Sequence, residues 1–198
     1  MAIKLGILML VVVVASNDVK DSKGNFTGHW ISKERALFNI FDVDEDGLVT
    51  KKEFIDLTTK RAEQVLVSWR AKAVYGILSN VYQTWWSNEN TNYKTSITFE
   101  ELLPAFEKEV GNTSKALAQV SQDWFHTFDL DCDDKLNVDE YSKFLTILRN
   151  TAPVQDIFDD IDRNGSGHID GEEFLNGFQH SWYDINADPA DFIFGSQN

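Results

Sequence analysis

The chain is short of several things, and each shortage closes off a class of protein. Among 198 residues there is one cysteine, Cys132, so no internal disulfide can form and stability has to come from a packed core and bound metal. Methionine occurs only at Met1 and Met9. A flexible methionine-rich groove, of the kind calcium sensors open towards partner helices, is therefore excluded from the body of the chain. Basic residues are few, 18 against 32 acidic ones, which gives a formal net charge of -14. Phosphates would meet like charge on almost every approach, so nucleic acid and membrane surfaces are not expected partners and cations are. The apolar run Leu5 to Val14 is far shorter than the roughly 20 residues that cross a bilayer.

That run belongs to "MAIKLGILMLVVVVA", with one lysine before it and a small residue, Ala15, after it. The pattern predicts a secretory signal peptide over residues 1–15, followed by an N-terminal leader over 16–28. Loss of Lys4 with the signal takes the charge from -14 to -15 and removes both methionines. Asn25-Phe26-Thr27 and Asn112-Thr113-Ser114 read as glycosylation sequons in polar stretches, consistent with a secreted, extracellular glycoprotein. A third sequon, Asn164-Gly165-Ser166, falls inside a predicted metal loop and is expected to be unused.

What the chain does have is an internal repeat. "DVDEDGLVTKKE" carries Asp42, Asp44 and Asp46 at positions 1, 3 and 5 of a twelve-residue calcium loop, Gly47 at 6, Thr50 at 9 and Glu53 at 12. Alternate carboxylates converge on one ion, glycine allows the sharp turn, the Leu48 carbonyl adds an oxygen at position 7, and Glu53 closes the shell with both of its own. "DLDCDDKLNVDE" repeats the pattern with Asp129, Asp131, Asp133, the Lys135 carbonyl, Asn137 at position 9 and Glu140. Its sixth residue is Asp134, which tolerates a left-handed backbone at a cost glycine avoids. Cys132, at position 4, points away from the ion in this geometry, and hard calcium has little use for sulfur. "DRNGSGHIDGEE" offers Asp162, Asn164, Ser166, Gly167, Asp170 and Glu173, with His168 at position 7 contributing only its carbonyl and turning its ring to solvent.

Such hands come in pairs, so the first needs a partner. "NTNYKTSITFEE", residues 90–101, keeps Ile97 at position 8 and Glu101 at 12 but has Lys94 at position 5 and Thr95 where glycine belongs. An ammonium in the shell repels calcium, so this hand is expected to keep its fold and bind no ion. Calcium, three ions, is the predicted cofactor. The position-8 residues are predicted to pair as short strands, Val49 with Ile97 and Leu136 with Ile169.

The rest reads as helix. Leu66, Trp69, Ala73, Ile77, Val81 and Trp85 recur at spacings of three and four, which predicts one long helix from Arg61 to Trp86 with a single apolar stripe. Pro104 is expected to kink the helix after the second loop, Gly111–Ser114 to separate the halves, and Thr151 and Pro153 to open the helix into the last loop. The fold class is thus all-α: four EF-hands in two pairs, 29–110 and 111–185, with short inter-loop β pairings and a C-terminal aromatic lid over 186–198. Aromatic side chains, six of them Trp, predict a fixed interior in place of a groove opened on demand. Core packing alone accounts for them; a cavity for a hydrophobic small molecule is the alternative.

At this level the chain resembles the sarcoplasmic calcium-binding proteins and their relatives, the coelenterazine-dependent photoproteins and luciferin-binding proteins. Length, the metal-free second hand and the hydrophobic tail all match, and "HWISKERALFNIFDVD" is similar to the photoproteins' first helix through Trp30, Ile31, Phe38 and Asn39. Trp182-Tyr183 matches their Trp-Tyr pair. The resemblance implies that the halves pack into one globule and that Trp182, Tyr183, Phe192, Ile193 and Phe194 lie across its interior. Where the light emitters have His, His and Tyr, however, this chain has Glu34, Phe178 and Phe194. The expected function is therefore a secreted, non-enzymatic, monomeric calcium-binding carrier, buffer or matrix component, with a coelenterazine-binding protein or photoprotein as the alternative.

Overall fold

In the computed structural model, which describes residues 26–109 and 114–183, the first helix opens where Thr27 accepts a hydrogen bond from the Trp30 amide. A threonine in extended geometry at that place supplies one of the acceptors that an opening turn lacks. Helix α1, Gly28–Phe41, ends as the Asp42 amide bonds the Phe38 carbonyl, so the last helical turn delivers the first residue of the first loop. Trp30, Glu34, Leu37, Phe38 and Phe41 form its inward stripe, and a carboxylic acid stands in the middle of it.

The first loop leads through strand β1, Leu48–Thr50, into a π-helical segment at Lys52–Leu57 and then helix α2, Thr58–Val65. Here the structure departs from the single helix expected over 61–86. Leu66 and Val67 are extended, and helix α3 starts afresh at Ser68, running to Val81 before a π-helical turn at Tyr82–Trp86. The cause is the strand pairing itself. Val49 lies opposite Ile97 in β2, Ser96–Thr98, so both loops sit side by side, whereas 26 residues of unbroken helix would carry the chain about 39 Å away. The break also resets the helical phase: Arg70, Ala71, Val74, Ile77 and Leu78 face the core, and Trp69, expected on the apolar stripe, is 61% exposed. The wider π turn then buries two consecutive residues, Trp85 and Trp86.

Helix α4, Phe99–Glu109, remains helical on both sides of Pro104. The second half follows with α5, Ser114–Phe128, β3, Lys135–Leu136, α6, Val138–Ile147, α7, Val154–Ile161, β4, Ile169–Asp170, and α8, Gly171–Tyr183. Leu136 pairs with Ile169, as the position-8 pattern predicts. Helix α6 opens with a reciprocal cap in which the Asn137 side chain and Glu140 each satisfy the other's backbone, and α7 begins directly after Pro153. Among the described residues no helix is long and apolar enough to cross a membrane. The signal peptide, the sequons at Asn25 and Asn112, residues 110–113 at the boundary between halves and the lid 186–198 lie outside the described residues.

The two halves share one hydrophobic core, with α3 packed on α5, α2 on α6 and α1 on α8. Its ring contacts include Phe54 on Trp86 at 4.6 Å and Phe174 on Phe178 at 5.3 Å. Three arginines cross between the halves to helix ends. Arg70 donates to the carbonyls of His126 and Thr127, both at 2.8 Å, and to Leu130 at 3.3 Å. Arg61 donates to the Ile147 carbonyl at 2.6 Å, and Arg149 to those of Ile40 and Asp42 at 3.4 and 3.2 Å. The final carbonyls of a helix have no intrahelical donor and carry its negative dipole end, so a guanidinium satisfies both demands at once.

Arg70 is buried, and Arg70→Leu leaves three carbonyls without their donor. Urea unfolding of the calcium-loaded protein is expected to show a loss of about 3 kcal/mol or more, since hydrogen bonds from a charged donor contribute roughly 1.5–3 kcal/mol each. Arg70→Lys should recover only part, because one ammonium cannot span the same acceptors. An unchanged midpoint for Arg70→Leu would refute the tie.

Candidate metal centres

Each predicted loop is shaped by the same short-range bonds. The position-1 aspartate accepts from the position-6 amide: Gly47 to Asp42 at 3.0 Å, Asp134 to Asp129 at 3.1 Å and Gly167 to Asp162 at 2.7 Å. Position 6 is left-handed in all three, with φ of 83° at Gly47, 62° at Asp134 and 79° at Gly167. Position 4 is left-handed as well, at Glu45, Cys132 and Gly165, a demand the sequence pattern did not announce. At position 5, Asp46 and Asp133 accept from the amides of Leu48 and Lys135, and the Ser166 hydroxyl from that of His168.

The position-12 glutamates close the loops. Oε2 of Glu53, Glu140 and Glu173 accepts from the position-9 amides of Thr50, Asn137 and Asp170, at 2.9, 2.9 and 3.1 Å. Oε1 reaches back to the loop's start, to the amides of Val43, Leu130 and Asn164 at 3.0, 2.7 and 3.2 Å. All three glutamates and the three position-1 aspartates are buried. Carboxylate oxygens of Asp42, Asp44 and Glu53 gather within 4.8 Å of one another, as do those of Asp129, Asp131 and Glu140. In the fourth loop Asn164 and Ser166 replace two carboxylates, and the Ser166 hydroxyl lies 3.4 Å from Asp162 Oδ1 and 2.9 Å from the His168 carbonyl. His168 as a residue is half-buried, and its ring Nδ1 lies 3.4 Å from the Ser166 carbonyl.

These residues fit a hard divalent cation. Asp42 Oδ1 is buried and has no hydrogen-bond partner, an orphaned acceptor at the point where the first loop's carboxylates converge. Burial first, then the charges of Asp46, Glu53 and Asp44, push the Asp42 carboxyl above its ordinary range against the pull of the Gly47 amide. Burial also pushes Glu53 up, but the Thr50 amide and hydroxyl and the Val43 amide outweigh it and hold that carboxyl low. Bound at such a loop, calcium supplies the positive charge that the gathered oxygens lack.

The second loop is closed differently. Lys94 Nζ makes an ion pair with Glu101 Oε1, the oxygen that in the other loops reaches back to the start, while Glu101 Oε2 keeps its bond to the position-9 amide of Thr98. The Lys94 hydrogen bond, with that of Thr98, holds the Glu101 carboxyl below its ordinary range. Left-handed residues here are Asn92 and Tyr93, at positions 3 and 4, and position 6 has none. The Lys94 ammonium thus holds the carboxylate oxygen that the other loops turn to their own start.

The comparisons agree with this geometry. The EF hand domain model matches residues 154–181, and the EF-hand domain pair model matches 32–61 and 94–148. The chain belongs to the EF-hand proteins. It is 21% identical over 180 residues to the photoprotein clytin of Clytia gregaria, covering 84% of this chain and 88% of clytin. Its fold is similar to a sarcoplasmic calcium-binding protein from amphioxus, with a TM-score of 0.61 at 18% identity over 87% of this chain and 99% of that one. It is similar also to the coelenterazine-binding protein of Renilla muelleri in its calcium-loaded apo form, with a TM-score of 0.64 at 16% identity over 87% and 100%. This EF-hand protein thus has the fold of the sarcoplasmic and photoprotein group.

One polar group inside the EF-hand core lies away from the loops. Glu34, a single turn from Trp30 and from Phe38, is buried with Oε2 unpartnered, and burial raises its carboxyl to about 8 against a small opposing effect of Lys33. A buried acid of this kind is neutral at pH 7. The stability that goes with holding its proton is complete below the ordinary value of 4.5 and is lost as pH climbs towards 8, a total of about 5 kcal/mol at 1.36 kcal/mol per pH unit. Denaturant unfolding of wild type and Glu34→Gln between pH 5 and 8.5 should show curves that diverge with rising pH, the variant gaining. Parallel curves would mean that Glu34 is charged in the fold.

Proposed function

We propose that this chain is a non-enzymatic calcium-binding protein that holds three ions, in the first, third and fourth loops, as a constitutively loaded carrier, buffer or matrix component. The observation behind the count is the identical placement of Glu53, Glu140 and Glu173 and the capture of Glu101 by Lys94. Asp42, Asp44, Asp46, the Leu48 carbonyl and Glu53 hold the first ion. Asp129, Asp131, Asp133, the Lys135 carbonyl and Glu140 hold the second, and Asp162, Asn164, Ser166, the His168 carbonyl and Glu173 the third. The two pairs of hands act as halves of one body, the route is secretory, and millimolar extracellular calcium fills even sites at the weak end of the EF-hand range.

Native mass spectrometry should find three calcium ions. Glu53→Gln, Glu140→Gln and Glu173→Gln should each lower the count by one, and Glu101→Gln by none. A fourth tightly held ion, or a loss on changing Glu101, would defeat the reading of the second hand.

A second reading has its own observation: the neutral, half-unsatisfied Glu34 carboxyl in an aromatic interior, in a fold shared with a coelenterazine-binding protein. Even so, Phe178 is a buried core residue packed on Phe174, and it offers no proton or acceptor where the emitters carry His. Titration with coelenterazine in the dark separates the two: a bound absorbance at micromolar levels favours the carrier of a luciferin, and no binding favours the calcium carrier, buffer or matrix component. Calcium added to coelenterazine-charged protein should release no light.

A further inference from the structure

Beside the third loop stands a set of side chains that calcium does not need. His126 lies in the last turn of helix α5, Asp129 is position 1 of the loop and Asp134 is position 6. One ring nitrogen of His126 and one carboxylate oxygen from each aspartate lie within 4.8 Å of one another. Asp129 is buried and fixed by two amides, Asp133 on Oδ1 and Asp134 on Oδ2, each at 3.1 Å. The backbone that carries His126 is held too, because Arg70 bonds its carbonyl at 2.8 Å. His126 and Asp134 are exposed, which leaves the set open to solvent.

Two departures from the other loops make this set, and neither helps calcium. Position 6 is glycine in the first and fourth loops, where the backbone is likewise left-handed, and aspartate accepts that conformation only at a cost. Three residues before position 1 those loops have Asn39 and Asp159, and only the third has an imidazole. Calcium takes oxygen ligands alone, whereas imidazole with carboxylate suits zinc, copper or nickel. We infer that His126, Asp129 and Asp134 form a second metal site, for a nitrogen-seeking divalent ion such as Zn2+, with positions left for water.

Asp129 belongs to this set and to the calcium group with Asp131 and Glu140. Two dications sharing one carboxylate sit a few ångströms apart and repel, so occupancy of either site weakens the other, and the coupling is reciprocal. Zinc would in this way lower calcium affinity at the third loop without touching the first.

The test is titration calorimetry of the full chain with zinc chloride, calcium-depleted and calcium-loaded, with Co2+ absorption as a second readout of nitrogen ligation. Wild type should bind one zinc ion here, more weakly when calcium is present. Asp134→Gly, which installs the residue its backbone favours, and His126→Gln should each weaken zinc by at least about tenfold while the calcium count stays as in wild type. Glu140→Gln, which cripples the third calcium loop, should leave zinc binding intact or tighter. The proposal fails if wild type binds no zinc, or if zinc survives both Asp134→Gly and His126→Gln. It fails equally if zinc is lost with Glu140→Gln alone, since the ion would then occupy the calcium loop.

Discussion

Everything in this molecule is arranged around a glutamate that must do two things at once. At position 12 its main chain begins the outgoing helix, while its carboxylate lies across the loop and takes amides from both ends. Because the loop's start is the end of the incoming helix, that single side chain sets the angle between two helices. Repeating the device side by side, with the position-8 residues paired, fixes two helix pairs at once and leaves the core to fill the space between them. The same convergence gathers like charge in partly dry surroundings, so the architecture and the demand for a cation have one origin.

The arginine ties extend that logic across the halves. Arg149 bonds the carbonyl of Asp42, the residue that is also the first loop's opening carboxylate, and Arg70 bonds the end of the helix that delivers Asp129. Each half therefore completes a helix terminus of the other next to a loop. With a common aromatic interior in addition, neither half offers a finished surface of its own.

How much of this could be read from the letters depended on the range of the interaction. The loops were legible because their spacing is local: twelve residues carry the carboxylates, the turn and the closing glutamate, and the departure of the second loop announces itself as Lys94, which the fold pairs with Glu101. The strand register followed from position 8 alone. The segment 61–86 misled, since its apolar spacing runs across the extended Leu66 and Val67 without a fault, and only the requirement that two loops meet shows that the helix has to turn back. That reset is why Trp69 is outside, stacked on Arg70, instead of inside. Glu34 and the three arginines were illegible for the opposite reason, because a charged letter ordinarily means surface and nothing nearby in sequence marks the burial or the distant carbonyl that makes each an exception.

The ion pair of Lys94 with Glu101 has a consequence for how the protein responds to calcium. Paired EF-hands influence each other through their shared strands, and a partner can do so only if its own occupancy changes. In the first half the partner loop's closing glutamate is already paired with a cation of the chain itself, Lys94. On the proposed count of three ions, calcium at the first loop then follows a simple hyperbola, as a lone site would. On the same reading the two ion-binding loops of the second half are joined through Leu136 and Ile169, so cooperativity, wherever this protein shows it, resides there.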